Sequence, residues 1–206
     1  MLDDVVFSSV TPENAAQYAA TLNSEDIAPL VSRLDSAEDK IRYPAFLLLW
    51  ERSRIMDDVY PFGDLLAEKL RGEHSYQRSI GAMLLAVNAR YDAANKTREM
   101  LPYYLQLLHD PKPITVRQCA QALPNILRAK PELASEIEQA VLAVDLMMYK
   151  DTMRKLILID FLDVHLLVRE IQPTPELEEF FFSALSGSIL DEKAKKQLKL
   201  KLSFEM

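Results

Sequence analysis

The sequence predicts an all-α fold built as a solenoid, a stack of about five helix pairs. An arginine recurs at near-constant spacing, as Arg42, Arg78, Arg117 and Arg154, at intervals of 36, 39 and 37 residues. A leucine lies eight or nine residues before each arginine, and an apolar run with helical spacing follows each one. Self-similarity with a period of this length is typical of stacked helical repeats.

The composition agrees with a folded helical protein. Of the 206 residues, 49% are apolar and 27% are charged, which favours a globular chain over a disordered one. Only four glycines occur, and alanine, leucine, glutamate and lysine dominate, which favours helix over hairpins.

Charge and cysteine content narrow the expected location and partners. The net charge of −7 makes nucleic acid an unlikely partner, because neutralising phosphates requires a basic surface. The single cysteine, Cys119, permits no disulfide within the chain and suits a reducing compartment. The start, Met-Leu-Asp-Asp, lacks the features of a signal peptide, and no apolar run is long enough to cross a bilayer. We therefore expect a soluble cytoplasmic protein with no membrane contact.

Cap and breaker residues predict where the helices begin and end. Thr11 followed by Pro12 predicts an N-terminal cap helix, and Thr174 followed by proline predicts another helix start. Gly72 predicts a helix end, and Pro124 predicts a kink inside the second helix of the third pair. The expected helices with two defined ends are about 12–22, 25–34, 100–110, 133–149, 151–168 and 190–202.

This pattern predicts one domain, residues 1–206, that begins with the cap helix. The N-terminal cap takes residues 1–23. The repeats are expected at about 24–56, 57–93, 94–131, 132–170 and 171–206. A lysine-rich face on the last helix would keep the stack from extending further.

The units resemble HEAT repeats over roughly residues 24–202, and the first and third units match most closely. Ile41-Arg42-Tyr-Pro-Ala45 and Val116-Arg117-Gln-Cys-Ala120 are similar to the family's Val-Arg motif with a small residue three positions on. Each is preceded by a first-helix proline and a turn aspartate. The second and fourth units depart from the motif, with Gln77 and Met153 in place of the valine. The resemblance implies a right-handed α-α superhelix (solenoid) of about five stacked antiparallel helix pairs, whose curved surface usually binds proteins.

The arginine ladder, defined as Arg42, Arg78, Arg117 and Arg154, has two interpretations. It could be a binding stripe for phosphate or carboxylate groups. The favoured interpretation is structural, because the planar guanidinium suits partly buried pairs with turn aspartates. The candidate partners are Asp35, Asp39, Asp110 and Asp151.

A second stripe is the candidate binding surface. Positions one, four, eight and twelve after each ladder arginine lie on one face of the second helix. In the second unit these positions are Ser79, Ala82, Ala86 and Arg90, and the fourth unit has Lys155, Leu158, Leu162 and Leu166. An equally weighted alternative is that Phe46 and Trp50 simply pack against the cap helix. The predicted partner-binding residues are Tyr43, Phe46, Trp50, Arg54, Arg90, Gln118, Gln121 and Asn125.

The leading functional hypothesis is a non-enzymatic protein–protein interaction scaffold that holds a peptide or helix of another protein on its concave face. No catalytic, cofactor or metal site is predicted, because His74, His109 and His165 lack metal-type spacing and no phosphate-binding glycine loop occurs. The alternative is a HEAT-like DNA-binding enzyme resembling the alkylpurine DNA glycosylases, which Trp50 beside two arginines favours and the acidic charge opposes. A third option, resembling chromophore lyase subunits, has no residue that selects it.

Overall fold

The all-α prediction is confirmed. The computed structural model describes residues 7–203, and within that range every regular element is a helix. The chain falls into two compact units, Met1–Tyr104 and Leu105–Met206, which are described separately below. Within residues 7–203, none of the helices combines the length and apolarity needed to cross a membrane.

The first unit is arranged around one central helix, α3. The bounds are α1 Ala15–Thr21, α2 Ser24–Arg33, α3 Asp39–Ser53, α4 Gly63–Lys69, α5 Ser75–Asn88 and α6 Lys96–Gln106. Helix α3 packs against α1, α2 and α5, while α4 packs against α5. Helix α6 begins in this unit and ends two residues past its boundary at Tyr104.

The second unit is arranged around its longest helix, α9. The bounds are α7 Pro113–Ala129, α8 Ala134–Leu142, α9 Asp151–Ile171, α10 Pro175–Ser186 and α11 Glu192–Ser203. Helix α9 packs against α7, α8 and α10, and α10 packs against α11. Second helices are therefore neighbours within each unit, α3 with α5 and α7 with α9. The superhelix through the whole chain stays a prediction.

The apolar spacing of α2 and α3 builds the core of the first unit. Ile27 of α2 and Leu34, the residue that follows α2, are fully buried with Leu48 and Leu49 of α3. On the other side of α5, Gly81 allows close packing, since an added Cβ would lie 2.8 Å from the carbonyl oxygen of Leu66 on α4. Helix periodicity thus predicts the buried faces correctly.

The helix starts are less well predicted than the helices. The first helix begins at Ala15 rather than near Pro12, because the Asn14 Oδ1 accepts a 2.7 Å hydrogen bond from the Thr11 backbone N–H and holds the preceding segment in a turn. The cap at Thr174 is confirmed, since its hydroxyl accepts from the Leu177 N–H at 3.3 Å. Helix α7 starts at Pro113 and continues through Pro124, whose kink stays a prediction.

His165 lies fully buried inside the second unit. Its ring meets Phe180 edge to face, with the ring centroids 4.7 Å apart. Neither Nδ1 nor Nε2 has a hydrogen-bond partner among residues 7–203. Because burial disfavours the charged imidazolium, the pKa of His165 falls from 6.5 to about 4. The fold therefore holds this histidine neutral.

This burial predicts acid sensitivity that a single residue controls. Between pH 6.5 and about 4, the unfolded chain protonates His165 while the folded chain does not. The free energy of unfolding should therefore fall as the pH falls through this window, by about 3 kcal/mol from this residue alone. Urea denaturation of His165→Leu should show a shallower pH dependence than wild type. The exposed His109 provides the matched control. A His109→Leu variant that reduced the pH dependence of the free energy of unfolding as much as His165→Leu does would contradict the assignment.

Candidate functional site

Arg42 ties the turn between α2 and α3 to its own helix. Its Nη1 donates to the carbonyl oxygens of Ser36 at 2.7 Å and Ala37 at 3.3 Å. Its Nη2 donates to the carboxylate of Asp39 at 2.8 Å, which is one of the predicted pairs. The guanidinium carbon also lies 3.8 Å from the centroid of the Tyr76 ring on α5. One buried side chain therefore joins a turn, a helix start and the next helix pair.

Arg78 repeats the turn contact in the second pair. Its Nη1 donates to the carbonyl oxygens of Gly72 and Glu73, both at 2.8 Å. These carbonyls stand six and five residues before the arginine, as they do for Arg42. In both pairs of the first unit, the ladder arginine therefore donates hydrogen bonds to the backbone carbonyls of the turn before its helix.

Arg154 makes the same kind of contact in the second unit. Its Nε donates to the Tyr149 carbonyl at 2.7 Å, and its Nη2 donates to the Met147 carbonyl at 3.1 Å. Its Nη1 lies 2.6 Å from the carboxylate of Asp151, the second of the predicted pairs. Three of the four ladder arginines thus hold the turn that precedes their helix.

Arg117 differs from the other three. Its Nε lies 2.6 Å from Oδ2 of Asp160, a buried carboxylate on α9. Gln121 also donates to Asp160, with Nε2 2.9 Å from Oδ1. The predicted turn-aspartate partner for Arg117 is wrong, because α7 packs against α9 and brings the carboxylate from that helix.

Two predicted turn aspartates take other partners. Asp35 pairs with Lys69 rather than with an arginine. Asp110 accepts a 2.8 Å hydrogen bond from the Lys112 backbone N–H within its own turn. Spacing along the chain therefore identifies the ladder but not all of its partners.

The aromatic row, defined as Tyr43, Phe46 and Trp50, runs along one face of α3. Neighbouring ring centroids are 6.4 Å and 6.2 Å apart. Tyr43 is 46% exposed. Phe46 and Trp50 are half-buried and pack against the core of the first unit. The row is thus packed against the core at Phe46 and Trp50 and exposed at Tyr43, and a binding role for it stays a prediction.

Two arginines stand beyond the Trp50 end of the row. Arg54, immediately after α3, has a 57% exposed side chain whose Nη1 lies 3.0 Å from the Glu51 carboxylate. Arg90 is exposed and donates from Nη1 to the Arg54 carbonyl at 3.2 Å. The predicted residues Trp50, Arg54 and Arg90 therefore share one region of the first unit.

The predicted stripe is wrong over most of α5. Ser79, Ala82 and Ala86 are all buried rather than outward-facing. The physical reason is that α5 is packed on two sides, against α3 and against α4. A helical face predicted from spacing cannot show how many neighbours cover the helix.

Two of the three predicted amide side chains on α7 donate hydrogen bonds to other residues of the second unit. Gln121 is exposed, but it donates to Asp160. Asn125 donates to the Ala122 carbonyl of its own helix at 3.2 Å, and Gln118 is half-buried. That these amides form one surface with the aromatic row stays a prediction.

A cleft of about 400 Å³ lies among α4, α5 and α6, and sequence reasoning missed it. Asp92 is the central polar residue of the cleft. It accepts hydrogen bonds from the Tyr60 hydroxyl at 2.9 Å and from the backbone N–H groups of Lys96 and Thr97 at 3.0 and 2.8 Å. These bonds start α6 at Lys96, before the predicted residue 100. The apolar walls come from Leu66, Leu70, Leu85, Ala89 and Met100.

Asp92 is a buried carboxylate that stays ionised. Burial opposes its ionisation, but hydrogen bonds from the side chain and backbone of Thr97, and then from Tyr60, lower its pKa overall. Beside it, the Lys96 ammonium lies 2.7 Å from the Asp64 carboxylate at the cleft edge. Backbone and side-chain donors together therefore keep the Asp92 carboxylate negatively charged.

Asn88 carries an unsatisfied acceptor at the cleft wall. It is only 3% exposed, and its Nδ2 donates to the Ser53 hydroxyl at 2.9 Å and the Leu84 carbonyl at 2.8 Å. A carbonyl oxygen can only accept, so the amide cannot flip to satisfy its Oδ1. That oxygen has no partner in the described part of the chain. The sequence signal was an asparagine four residues after a core leucine, on a helical face that should be apolar.

No family model and no curated protein matches this sequence. The likeness to HEAT repeats therefore rests on the motif residues and on the recurring helix pairs. Across residues 7–203, no three His, Cys, Asp or Glu side chains are grouped in a way that could hold a metal ion.

The Arg117 contacts predict a stability role. Replacing Arg117 with alanine should lower the free energy of unfolding by about 2 kcal/mol, because Asp160 would stay buried without its cation. Arg128→Ala, at an exposed site of the same helix, should change it by less than about 0.5 kcal/mol. Urea denaturation measures both, and adding Asp160→Asn to Arg117→Ala should recover part of the loss. Equal effects of the two arginine variants would contradict the role.

Proposed function

We propose that this protein is a non-enzymatic scaffold of protein–protein interaction, built from HEAT-like helix pairs. It holds a peptide or helix of a partner protein on the face of its second helices. The single observation that carries the proposal is the aromatic row on α3, which ends in accessible arginine side chains.

The row supplies the residue types that dominate protein-binding surfaces. Tyrosine, tryptophan and arginine are the commonest hot-spot residues. The two aromatic side chains bury much area while losing little side-chain freedom, and arginine offers several hydrogen-bond donors. Phe46 and Trp50 are already packed against the core, so their rotamers are fixed before a partner arrives. Tyr43 is open enough to be covered by one.

Charge beside the row favours an acidic group in the peptide. The Arg54 guanidinium lies 3.0 Å from the Glu51 carboxylate. Arg90 uses one N–H group for its hydrogen bond to the Arg54 carbonyl and has further N–H donors on its guanidinium. A carboxylate placed one or two turns from an apolar anchor residue would meet both arginines. The preferred ligand is therefore a short segment with an apolar anchor followed by aspartate or glutamate.

Duplex DNA is a poor candidate ligand for this surface. The chain has 31 acidic and 24 basic residues, and the buried small side chains of α5 add no cation to the row. Affinity for phosphates should be weak and lost at moderate salt. We also propose a cytoplasmic location, which the single cysteine, Cys119, supports because a buried free thiol suits a reducing compartment.

The test starts with selection of peptides from a displayed library on the whole protein. Trp50 is the sole tryptophan, so a peptide bound at the row should change the intrinsic fluorescence directly. Trp50→Ala combined with Arg54→Ala should weaken binding of the labelled peptide by at least about 100-fold, because two hot-spot residues are lost. Fluorescence anisotropy titrations measure this affinity. Circular dichroism of both proteins checks that the helices remain.

The matched control is Phe182→Ala with Arg128→Ala. Both residues are exposed and belong to the second unit, and neither is part of the aromatic row. This variant should bind the peptide as wild type does. Undiminished binding by a folded Trp50→Ala, Arg54→Ala protein would show that the peptide binds elsewhere. Salt-resistant nanomolar binding to damaged duplex DNA would instead support the enzyme alternative.

A further inference from the structure

The last helix pair of the second unit, α10 with α11, exposes two faces of opposite charge. Helix α10 carries three glutamates and no basic residue, while α11 carries five lysines and one glutamate. Among these charges, Phe182 on α10 is 72% exposed and Leu200 on α11 is 49% exposed. Each helix therefore presents apolar area together with charge of one sign, as the surface of a protein interface does.

Four exposed charges of this helix pair have no partner of opposite sign within the unit. Glu178 is paired with Arg169 at 2.6 Å, and Lys201 is paired with Asp163 at 2.5 Å. Among residues 7–203, by contrast, two glutamates and two lysines of the pair form no ion pair, although all four are exposed. These four residues are Glu176, Glu179, Lys196 and Lys199. Acidic and basic groups are thus available to a partner in equal number.

The two faces have the same spacing along their helices. Residues three positions apart are neighbours on a helix surface. The α10 face consists of Glu176, Glu179 and Phe182. The α11 face, 17 positions further along the chain, consists of Lys193, Lys196 and Lys199, with Leu200 beside them. Two such helices that lie parallel would place a glutamate opposite a lysine twice, and the phenylalanine ring against the leucine and a lysine stem.

The directions of the helices allow this parallel contact between two copies of the chain. Helix α10 runs antiparallel to α9, since Glu178 contacts Arg169 and Phe180 contacts the earlier His165. Helix α11 runs parallel to α9, because Lys155 pairs with Asp191 and Asp163 pairs with Lys201. Helices α10 and α11 are therefore antiparallel to each other within one chain. A twofold axis perpendicular to them makes α10 of one copy parallel to α11 of the other.

We propose that this protein forms a symmetric dimer through its last helix pair, with α10 of each copy packed parallel to α11 of the other. Glu179 of each copy pairs with Lys196 of the second copy, and Phe182 packs against Leu200. The four helices form a bundle, and because the contact is closed by the twofold axis, association ends at two copies. The dimer contact is independent of the aromatic row, which belongs to the first unit.

Charge complementarity selects a second copy as the occupant. A second copy brings an acidic and a basic face in the register that both helices need, whereas an acidic peptide or an anionic membrane matches α11 alone. Helices of 12 residues are about 18 Å long, so the contact is small and the dissociation constant of the dimer should be micromolar.

The test is sedimentation equilibrium of the whole protein at low salt, from micromolar to millimolar concentration. Wild type should sediment at twice the chain mass at the upper concentrations. Glu179→Lys and Lys196→Glu should each raise the dimer dissociation constant at least about tenfold, because each places like charges opposite one another twice in a symmetric dimer. Phe182→Ser should weaken the dimer by a similar factor through loss of apolar contact.

Mixing the two charge variants makes the test specific for this geometry. An equal mixture of Glu179→Lys and Lys196→Glu chains should dimerise about as well as wild type, because a mixed dimer has opposite charges at both contacts. Glu99→Lys, at an exposed position near the start of α6, is the matched control and should leave the wild-type dimer unchanged. Circular dichroism of each variant checks that the helices remain.

Three results would overturn the proposal. One is a wild type that stays monomeric at every concentration, and the second is a mixture of the charge variants that stays as weakly associated as each variant alone. The third is a Glu99→Lys effect equal to that of Glu179→Lys. A monomeric wild type that binds phosphatidylserine vesicles or polyglutamate, and loses this binding in Lys196→Glu, would instead assign the lysine face to an anionic partner.

Discussion

Each helix pair depends on satisfying the backbone carbonyls of the turn between its two helices. The last carbonyls of a helix have no N–H partner within it, and a sharp reversal adds more. Arg42, Arg78 and Arg154 each reach back from the first turns of the following helix and donate to such carbonyls. Arginine suits this position because its five donors can serve several acceptors at once. The turns they hold set the direction in which each second helix leaves, and hence what its faces contact.

The exception at Arg117 follows from its own turn. That turn contains Pro111 and Pro113, and Asp110 is occupied by the N–H of Lys112. The guanidinium instead meets Asp160 on α9, so the same sequence position holds two second helices together. A recurring residue in a repeat thus keeps its location while its partner changes with turn length and chemistry.

Sequence reasoning succeeded where one local property decides the structure. The spacing of Ile27 and Leu34 predicts a buried face, and both are buried. It failed where contacts with residues outside the helix itself determine a helix start or the burial of a side chain. The start of α6 depends on hydrogen bonds that the backbone N–H groups of Lys96 and Thr97 donate to Asp92. The burial of Ser79 depends on α5 lying between two helices. The cleft combines residues from three helices, so no single stretch of sequence carries its pattern.

His165 and Asn88 each bury a side-chain atom that has no hydrogen-bond partner among residues 7–203. His165 is enclosed beside Phe180, and holding it there neutral costs stability whenever the medium would protonate it. Asn88 lines the cleft wall, and its Nδ2 donates to the Ser53 hydroxyl, which in turn donates to the Leu49 carbonyl near the end of the helix that carries the aromatic row. The cleft and the row therefore depend on the same segment of α3.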